Sequence, residues 1–489
     1  MWLKGRRGDT EREVSRGRSS RRLGRRAERA GEWTAVSFGN ASHQKPGKPG
    51  PTHTRSGESA KRGVGDEAGL DRREPGDSGK ALLERALRRE NMVAAWKRVK
   101  ANGRSAGADG LSIADTVEHL RTHWPSVREA VLNGTYRPTP VRRVLIPKAD
   151  GTQRELGIPT VTDRLIQQAL LQVLQPLIDP TFSDHSYGFR PGRRAHDAVL
   201  RAQGYLEAGR RIVVDVDLEK FFDRVHHDVL MDRLEKRISD RAVLQLIRRY
   251  LQAGVMMNGV VQQRHEGTPQ GGPLSPLLAN VLLDEVDREL ERRGHCFVRY
   301  ADDCNVYVRS RRAGERVMAG LRKLYGTLKL TINEAKSAVA KAVTRKFLGF
   351  SFYTSGGGVK RRVAPKALQA YKTRIRQLTR RSGGRSIEQV VERLKAYVPG
   401  WKGYFQLSQT PGVFRDLDGW LRHRLRALHL KQWKRGSTMF AALQRLGASH
   451  SDALAVASNA RCWWKNSRMH LNRALPLPYF ERLGVPTLA

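Results

Sequence analysis

A chain of 489 residues leaves room for two or three domains, and a hydrophobic content of 39% is low for a wholly globular protein but enough for a real core in part of it. Lysine and arginine number 90 against 48 acids, a formal charge of +42; this excess calls for a polyanionic partner, nucleic acid first, because no apolar run approaches the roughly 18 residues of a spanning helix and no signal-peptide core follows the basic start. Only Cys296, Cys304 and Cys462 are present, none in a C-x-x-C pair, which argues against a disulfide framework and a cysteine zinc site and fits a soluble, cytoplasmic protein without a membrane partner.

Residues 1–79 are rich in Arg, Gly, Ser and Glu and lack any sustained hydrophobic period, so they are expected to form a disordered basic arm. Such an arm either grips RNA or is a solvated extension; charge alone does not separate the two. Asp9, Glu11 and Glu13 argue against an organelle transit peptide.

Helical periodicity starts near Lys80 and runs through Trp96, ahead of a Gly-rich loop at Ala106-Gly107-Ala108-Asp109-Gly110. Residues 141–156 then read as a basic hairpin with Asp150-Gly151 as its turn, flanked by Lys148 and Arg154. Those two cations are either plain surface charges on a ribbon or a clamp for a triphosphate.

The run Arg211 to Asp223 opens as a β-rich strand and leaves Asp215 and Asp217 on one strand face at its end, before Phe221-Phe222. Residues 266–280 form a Gly/Pro loop that opens an apolar helix; Gly271 and Gly272 would let backbone approach a ligand and Gln270 offers an amide for a nucleotide.

The segment Cys296 to Val308 is an alternating apolar run with Asp302 and Asp303 at its middle, the pattern of a β-hairpin with carboxylates at the tip. Paired acids in a turn are commonly just solvated. Here they are also hard oxygen donors suited to Mg²⁺, and a strand carrying Asp215 and Asp217 beside them would bring three carboxylates together, whose repulsion demands a cation. One of the strand pair would then be structural. Past Ser355-Gly356-Gly357-Gly358 the chain becomes more helical, with Trp401, Tyr404, Phe405, Trp420, Trp433, Trp463 and Trp464 among cations, a mixture that serves either a helical core or base stacking.

The ordered set Tyr300-Ala301-Asp302-Asp303, Pro269-Gln270-Gly271, the strand centred on Asp217, and Ser186-Tyr187-Gly188-Phe189-Arg190-Pro191-Gly192-Arg193 resembles the bacterial group II intron-encoded reverse transcriptase, or maturase. Ile158 to Arg164, Leu330 to Ser337 and Phe347-Leu348-Gly349-Phe350 agree with it, and the likeness runs from about residue 85 onward. It implies an α+β right-hand polymerase: fingers and palm over 80–355, a helical thumb or maturase domain over 356–445 recognisable at Val398 to Phe405, and a basic nucleic-acid-binding tail over 446–489. The family spaces its metal-binding Asp five residues before an aromatic, which selects Asp217 with Phe222 over Asp215.

By the same resemblance Asp217, Asp302 and Asp303 are the catalytic, Mg²⁺-binding acids. Lys148 and Arg154 hold the incoming phosphates, Phe222 lies under the sugar and rejects a 2′-hydroxyl, and Gln270 and Lys336 also bind substrate. The implied partners are group II intron RNA, target DNA with its primer, and dNTPs; the implied role is to assist splicing and copy the intron into cDNA during retrohoming. Oligomeric state is not implied. With three scattered cysteines the chain departs from the branch that ends in a zinc-binding H-N-H endonuclease, so priming is expected from elsewhere. Two alternatives differ in kind: a splicing maturase with an idle polymerase site, against which the intact acids argue, and a retron-like or phage-defence reverse transcriptase, against which the maturase-like segment argues.

Overall fold

The computed structural model describes residues 81–101, 103, 105–147, 153–257, 260–262, 266–268 and 271–489. The expected arm 1–79, Lys148 and Gln270 lie outside these. Among the described residues eleven strands occur in chain order: β1 (Val141–Pro147), β2 (Gln153–Ile158), β3 (Ile212–Val216), β4 (Val255–Met257), β5 (Val260–Gln262), β6 (Cys296–Tyr300), β7 (Asp303–Val308), β8 (Ala338–Lys341), β9 (Lys346–Phe347), β10 (Phe350–Ser355) and β11 (Gly358–Val363). They form three sheets, ordered β2-β1-β4-β5, β6-β7-β3-β8 and β11-β10-β9.

The second sheet organises the molecule, and its alternating side chains explain why it is covered on both faces. Val214, Val216, Phe297, Cys304 and Val306 point into one core, shared with helices Ser275–Arg292 and Arg311–Thr327. Val213, Val298 and Tyr307, one residue out of step, point into a second core with helix Ala195–Glu207 and the C-terminal helices. Strand β3 pairs antiparallel with both β7 and β8, so it is central and wholly apolar until Asp215.

The first sheet stands apart as a ribbon. Strands β1 and β2 pair from Arg142–Ile158 to Pro147–Gln153, so the connection runs through residues outside the described set. Helix Val161–Ile178 follows directly, started by Thr160, whose hydroxyl accepts from the Asp163 backbone at 3.0 Å. The Ala106 to Gly110 loop is packed against this start: a methyl on Gly107 would lie 3.0 Å from the Thr160 Cα, and Arg164 donates to the Ser105 carbonyl at 2.8 Å.

Helices Pro365–Leu378, Ile387–Phe405 and Pro411–Trp433 build the C-terminal layer. Residues 446–489, expected as a tail, are instead packed into it. Leu471, Leu475, Tyr479, Phe480 and Leu488 are buried in the same core as Leu394, Val398 and Leu425, and the buried Asp418 carboxylate accepts from the backbone of Leu488 and Ala489 at 2.9–3.0 Å. Apolar residues are plentiful in this stretch, as in Ala453 to Ala457 and Tyr479-Phe480, and they find their core through tertiary contact. No helix among the described residues is long and apolar enough to cross a membrane.

Candidate active site

Strand register brings the acids together. Antiparallel pairing of β3 with β7 sets Asp215 opposite Asn305 and Val216 opposite Cys304, so the next step puts Asp217 beside Asp303. Pairing of β6 with β7 closes at Tyr300–Asp303, leaving Ala301 and Asp302 as the hairpin turn.

The two strand acids are then distinguished by their partners. Asp215 is ion-paired with Arg345, whose guanidinium lies 2.6 and 2.7 Å from Oδ2. Asp217 is held by its backbone: its N–H donates to Ser337 Oγ at 3.0 Å and its carbonyl accepts from Asn333 N at 2.8 Å, and its carboxylate stays partly exposed. Lys336 Nζ is 3.7 Å from Asp217 Oδ1, and Arg345 fixes the Lys336 carbonyl at 2.6 Å.

The hairpin acids carry the electrostatic signature of crowded like charge. Asp302 is raised above the usual carboxylate range by dehydration and by Asp217, with Arg154 and Arg299 opposing. Asp303 is pushed up to about 7, first by dehydration and then by Asp302, Asp217 and Asp215. Asp303 is exposed at the start of β7, where the charges of Asp302, Asp217 and Asp215 repel its own. The influence of Arg154 on Asp302 also brings the β1–β2 ribbon to the site.

These donors fit a divalent cation. They are all hard carboxylate oxygens whose mutual repulsion a dication would relieve. Among the described residues no group of three or more His, Cys, Asp or Glu is gathered tightly enough to hold a metal ion, so Asp217, Asp302 and Asp303 are brought near one another by strand register without forming a closed three-ligand cluster.

Phe222 lies in the short 3₁₀ turn Phe221–Asp223 that follows β3, is buried, and meets Phe221 edge-on at 5.1 Å. Its carbonyl accepts from Thr268 N and Val225 O accepts from Gly267 N, both at 2.7 Å, so the Gly/Pro loop is tied to this turn. Gly271 and Gly272 allow close approach within the protein itself. A methyl on Gly271 would lie 2.5 Å from the Gly157 carbonyl of β2, and one on Gly272 would lie 2.4 Å from Gln167 Oε1. The glycines let the loop pack against the protein's own ribbon and helix.

Sequence reasoning missed the support behind the tip. Arg299, fully buried on β6, donates to both Asp287 oxygens at 2.6–2.9 Å, to Asn280 Oδ1 at 2.9 Å, to Ser186 Oγ at 2.7 Å and to the Ala301 carbonyl at 2.9 Å. Ala301 sits at φ +56°, and Gly188 packs so closely on it that a methyl there would be 2.2 Å from the Ala301 nitrogen. A charge in the middle of an apolar strand was the available signal, since such residues are buried only when paired.

Residues 146–352 match the family model described as reverse transcriptase (RNA-dependent DNA polymerase), and residues 368–447 match that of the group II intron, maturase-specific domain. Protein YkfC of Escherichia coli (strain K12) is 37% identical over 218 residues, covering 43% of this chain and 57% of that protein. Group II intron-encoded protein LtrA of Lactococcus lactis subsp. cremoris is 42% identical over 161 residues, covering 33% of this chain and 27% of that protein. An uncharacterized 91 kDa protein in the cob intron of Schizosaccharomyces pombe is 34% identical over 212 residues, 42% of this chain and 25% of that one. The chain thus spans less than two thirds of the length of each of these relatives. Reverse transcriptases use divalent metal ions, the class of ion these carboxylates suit. With a reverse transcriptase domain followed by a maturase-specific domain, the chain belongs to the group II intron-encoded reverse transcriptase and maturase family.

Proposed function

We propose that the protein is an RNA-directed DNA polymerase of a group II intron, which binds its intron RNA, assists splicing and copies the RNA into DNA. The observation that carries this reading is the convergence of Asp217, Asp302 and Asp303 at adjoining strand ends, while Asp215 beside them is neutralised by Arg345. The substrates are dNTPs and a primer on an RNA template; the partners are intron RNA and target DNA, consistent with the net charge of +42.

Asp217 and Asp302 would hold Mg²⁺, with Asp303 beside them, and when bound the ion would supply charge to lower the pKa of the primer 3′-hydroxyl and to screen the triphosphate. Arg154 and Lys148 orient the phosphates from the ribbon, Lys336 keeps a cation next to Asp217, and the buried Phe222 forms the floor under the sugar. Gln270 contacts the incoming nucleotide from the loop tied to Phe222. The side chains position groups and screen charge, and none is needed as a covalent nucleophile.

The test is primer extension on an RNA template with Mg²⁺ and dNTPs, comparing wild type with an Asp302→Ala/Asp303→Ala double variant. DNA product from wild type alone supports the polymerase. Equal inactivity of both proteins, with tight intron RNA binding by each, would leave a splicing maturase as the function. Splicing of the flanking RNA with and without protein tests the second half of the reading.

A further inference from the structure

Phe189 combines three properties that ordinary packing does not explain. Its side chain is 41% exposed. Its backbone lies at φ +63°, and it is the one aromatic among six non-glycine residues at positive φ in the described chain. A bulky side chain is strained there, and such strain persists only where neighbouring structure imposes it. Two others of the six, Lys220 and Ala301, flank the carboxylates, in the turn before Phe222 and in the hairpin tip respectively.

The imposing structure is visible on both sides of Phe189. The Gly188 carbonyl accepts from Asn280 Nδ2 at 2.9 Å, and Gly188 itself is pressed onto Tyr300 and Ala301. Arg190 is buried, with its guanidinium on the Ser183 and Ser186 carbonyls at 2.6 and 3.0 Å and on Asp179 at 3.0 Å. The chain is therefore fixed before and after Phe189, and the ring is held outward one residue from the segment that touches the catalytic tip. Glycine or asparagine would adopt this backbone more readily, so the ring itself is what the position supplies.

We infer that Phe189 is a stacking platform for a nucleobase of the bound template–primer beside the polymerising centre. The inference rests on the polymerase reading above. An exposed phenyl ring on a rigid backbone offers a flat apolar face at little further ordering, and any base offers a matching face, so the contact is tolerant of sequence as copying requires. The base comes from either the template or the primer strand, and the experiment separates them.

The experiment uses the full chain with an RNA template and DNA primer in which a single abasic nucleotide is moved, one position at a time, across the primer terminus in each strand. Affinity and extension rate are measured for wild type, Phe189→Gly and Phe189→Trp, together with thermal unfolding. We expect Phe189→Gly to bind the intact duplex roughly 5- to 100-fold more weakly. Phe189→Trp retains binding, and the unfolding midpoint of Phe189→Gly equals or exceeds that of wild type. At one position the abasic site should penalise wild type by a similar factor and leave Phe189→Gly unaffected; the strand holding that position is the one stacked. Abasic penalties identical in wild type and Phe189→Gly at every position would overturn the inference and leave the polymerase standing. A lowered midpoint with unchanged affinity would also overturn it, as a packing role. Wild type that neither binds nor extends any template–primer would remove both.

Discussion

Two groups of acids lie within one strand pair of each other and are treated in opposite ways. Asp287, fully buried behind β6, has both oxygens on Arg299, and its neighbour Asp284 is bonded by Arg237 and Arg288 at 2.6 and 2.7 Å. In front, Asp302 and Asp303 face Asp217 without a bonded cation of their own among the described residues: Lys336 lies 3.7 Å from Asp217, and Arg154, Arg299 and Lys346 offset the repulsion from a distance. A buried acid that serves architecture is matched charge for charge, because leaving it bare would unfold the strand. Acids that hold a ligand are left unmatched, at some loss of stability that binding recovers. The two groups are joined by one residue, since Arg299 pairs with Asp287 and also bonds the carbonyl of Ala301, immediately before Asp302.

This contrast can be broken in several ways. Replacing Asp217 with Asn should lower the extension rate by about 10²- to 10³-fold, as a lost electrostatic contact to the reacting groups does. Mg²⁺ should raise the unfolding midpoint of wild type more than that of this variant. On the matched side, Arg299→Met or Asp287→Asn leaves a buried charge alone and should destabilise the protein by about 3–5 kcal/mol in denaturant unfolding. Retained stability in either would mean that the pair is not the strut it is taken to be.

The thumb offers a third treatment, a buried group kept neutral. His429 bonds the Tyr479 hydroxyl at 2.8 Å and stacks on Trp433, and burial pushes its pKa down to about 4. A histidine whose folded pKa is depressed contributes full stability above its unfolded value near 6.5, and loses it as pH falls from there toward 4. Acid unfolding should therefore weaken the protein by up to about 3 kcal/mol across that window. His429→Gln should flatten this part of the pH profile.

Smaller effects sharpen the picture. Gly188→Ala forces a methyl against the Ala301 nitrogen and should cost about 1–3 kcal/mol, with extension falling alongside. Lys336→Ala removes a largely exposed contact, so stability should change by less than about 1 kcal/mol while KM for dNTP rises.

How much of this was legible in the sequence follows from the range of the interactions. The β6–β7 hairpin was readable because period-two alternation from Cys296 to Val308 is a local signal, and the turn acids interrupt it. Strand β3 was readable from its continuous β-branched run Ile212-Val213-Val214, although its shared face left Asp215 and Asp217 equivalent; what separates them is Arg345, 130 residues away from Asp215 in the chain. The Arg299 network draws on Ser186, Asn280 and Asp287, and the long-range pairing of a buried cation leaves only the anomaly of a charge in an apolar strand. The glycines at 271 and 272 suggested close approach but not what approaches, and the partners, Gly157 and Gln167, belong to other elements. Residues 446–489 were expected as a basic tail, whereas their apolar residues, Leu471, Leu475, Tyr479, Phe480 and Leu488 among them, decide the packing.

The measurement that tests the contrast most directly pairs two readouts on one variant, Asp303→Asn: single-turnover extension on an RNA template, and the thermal unfolding midpoint without divalent cation. An acid left unmatched for ligand binding predicts a rate that falls by orders of magnitude while the midpoint stays the same or rises, because a repelling charge has been removed. A rate close to wild type, or a midpoint that drops as it should for Arg299→Met, would contradict the assignment of these carboxylates as the polymerising centre.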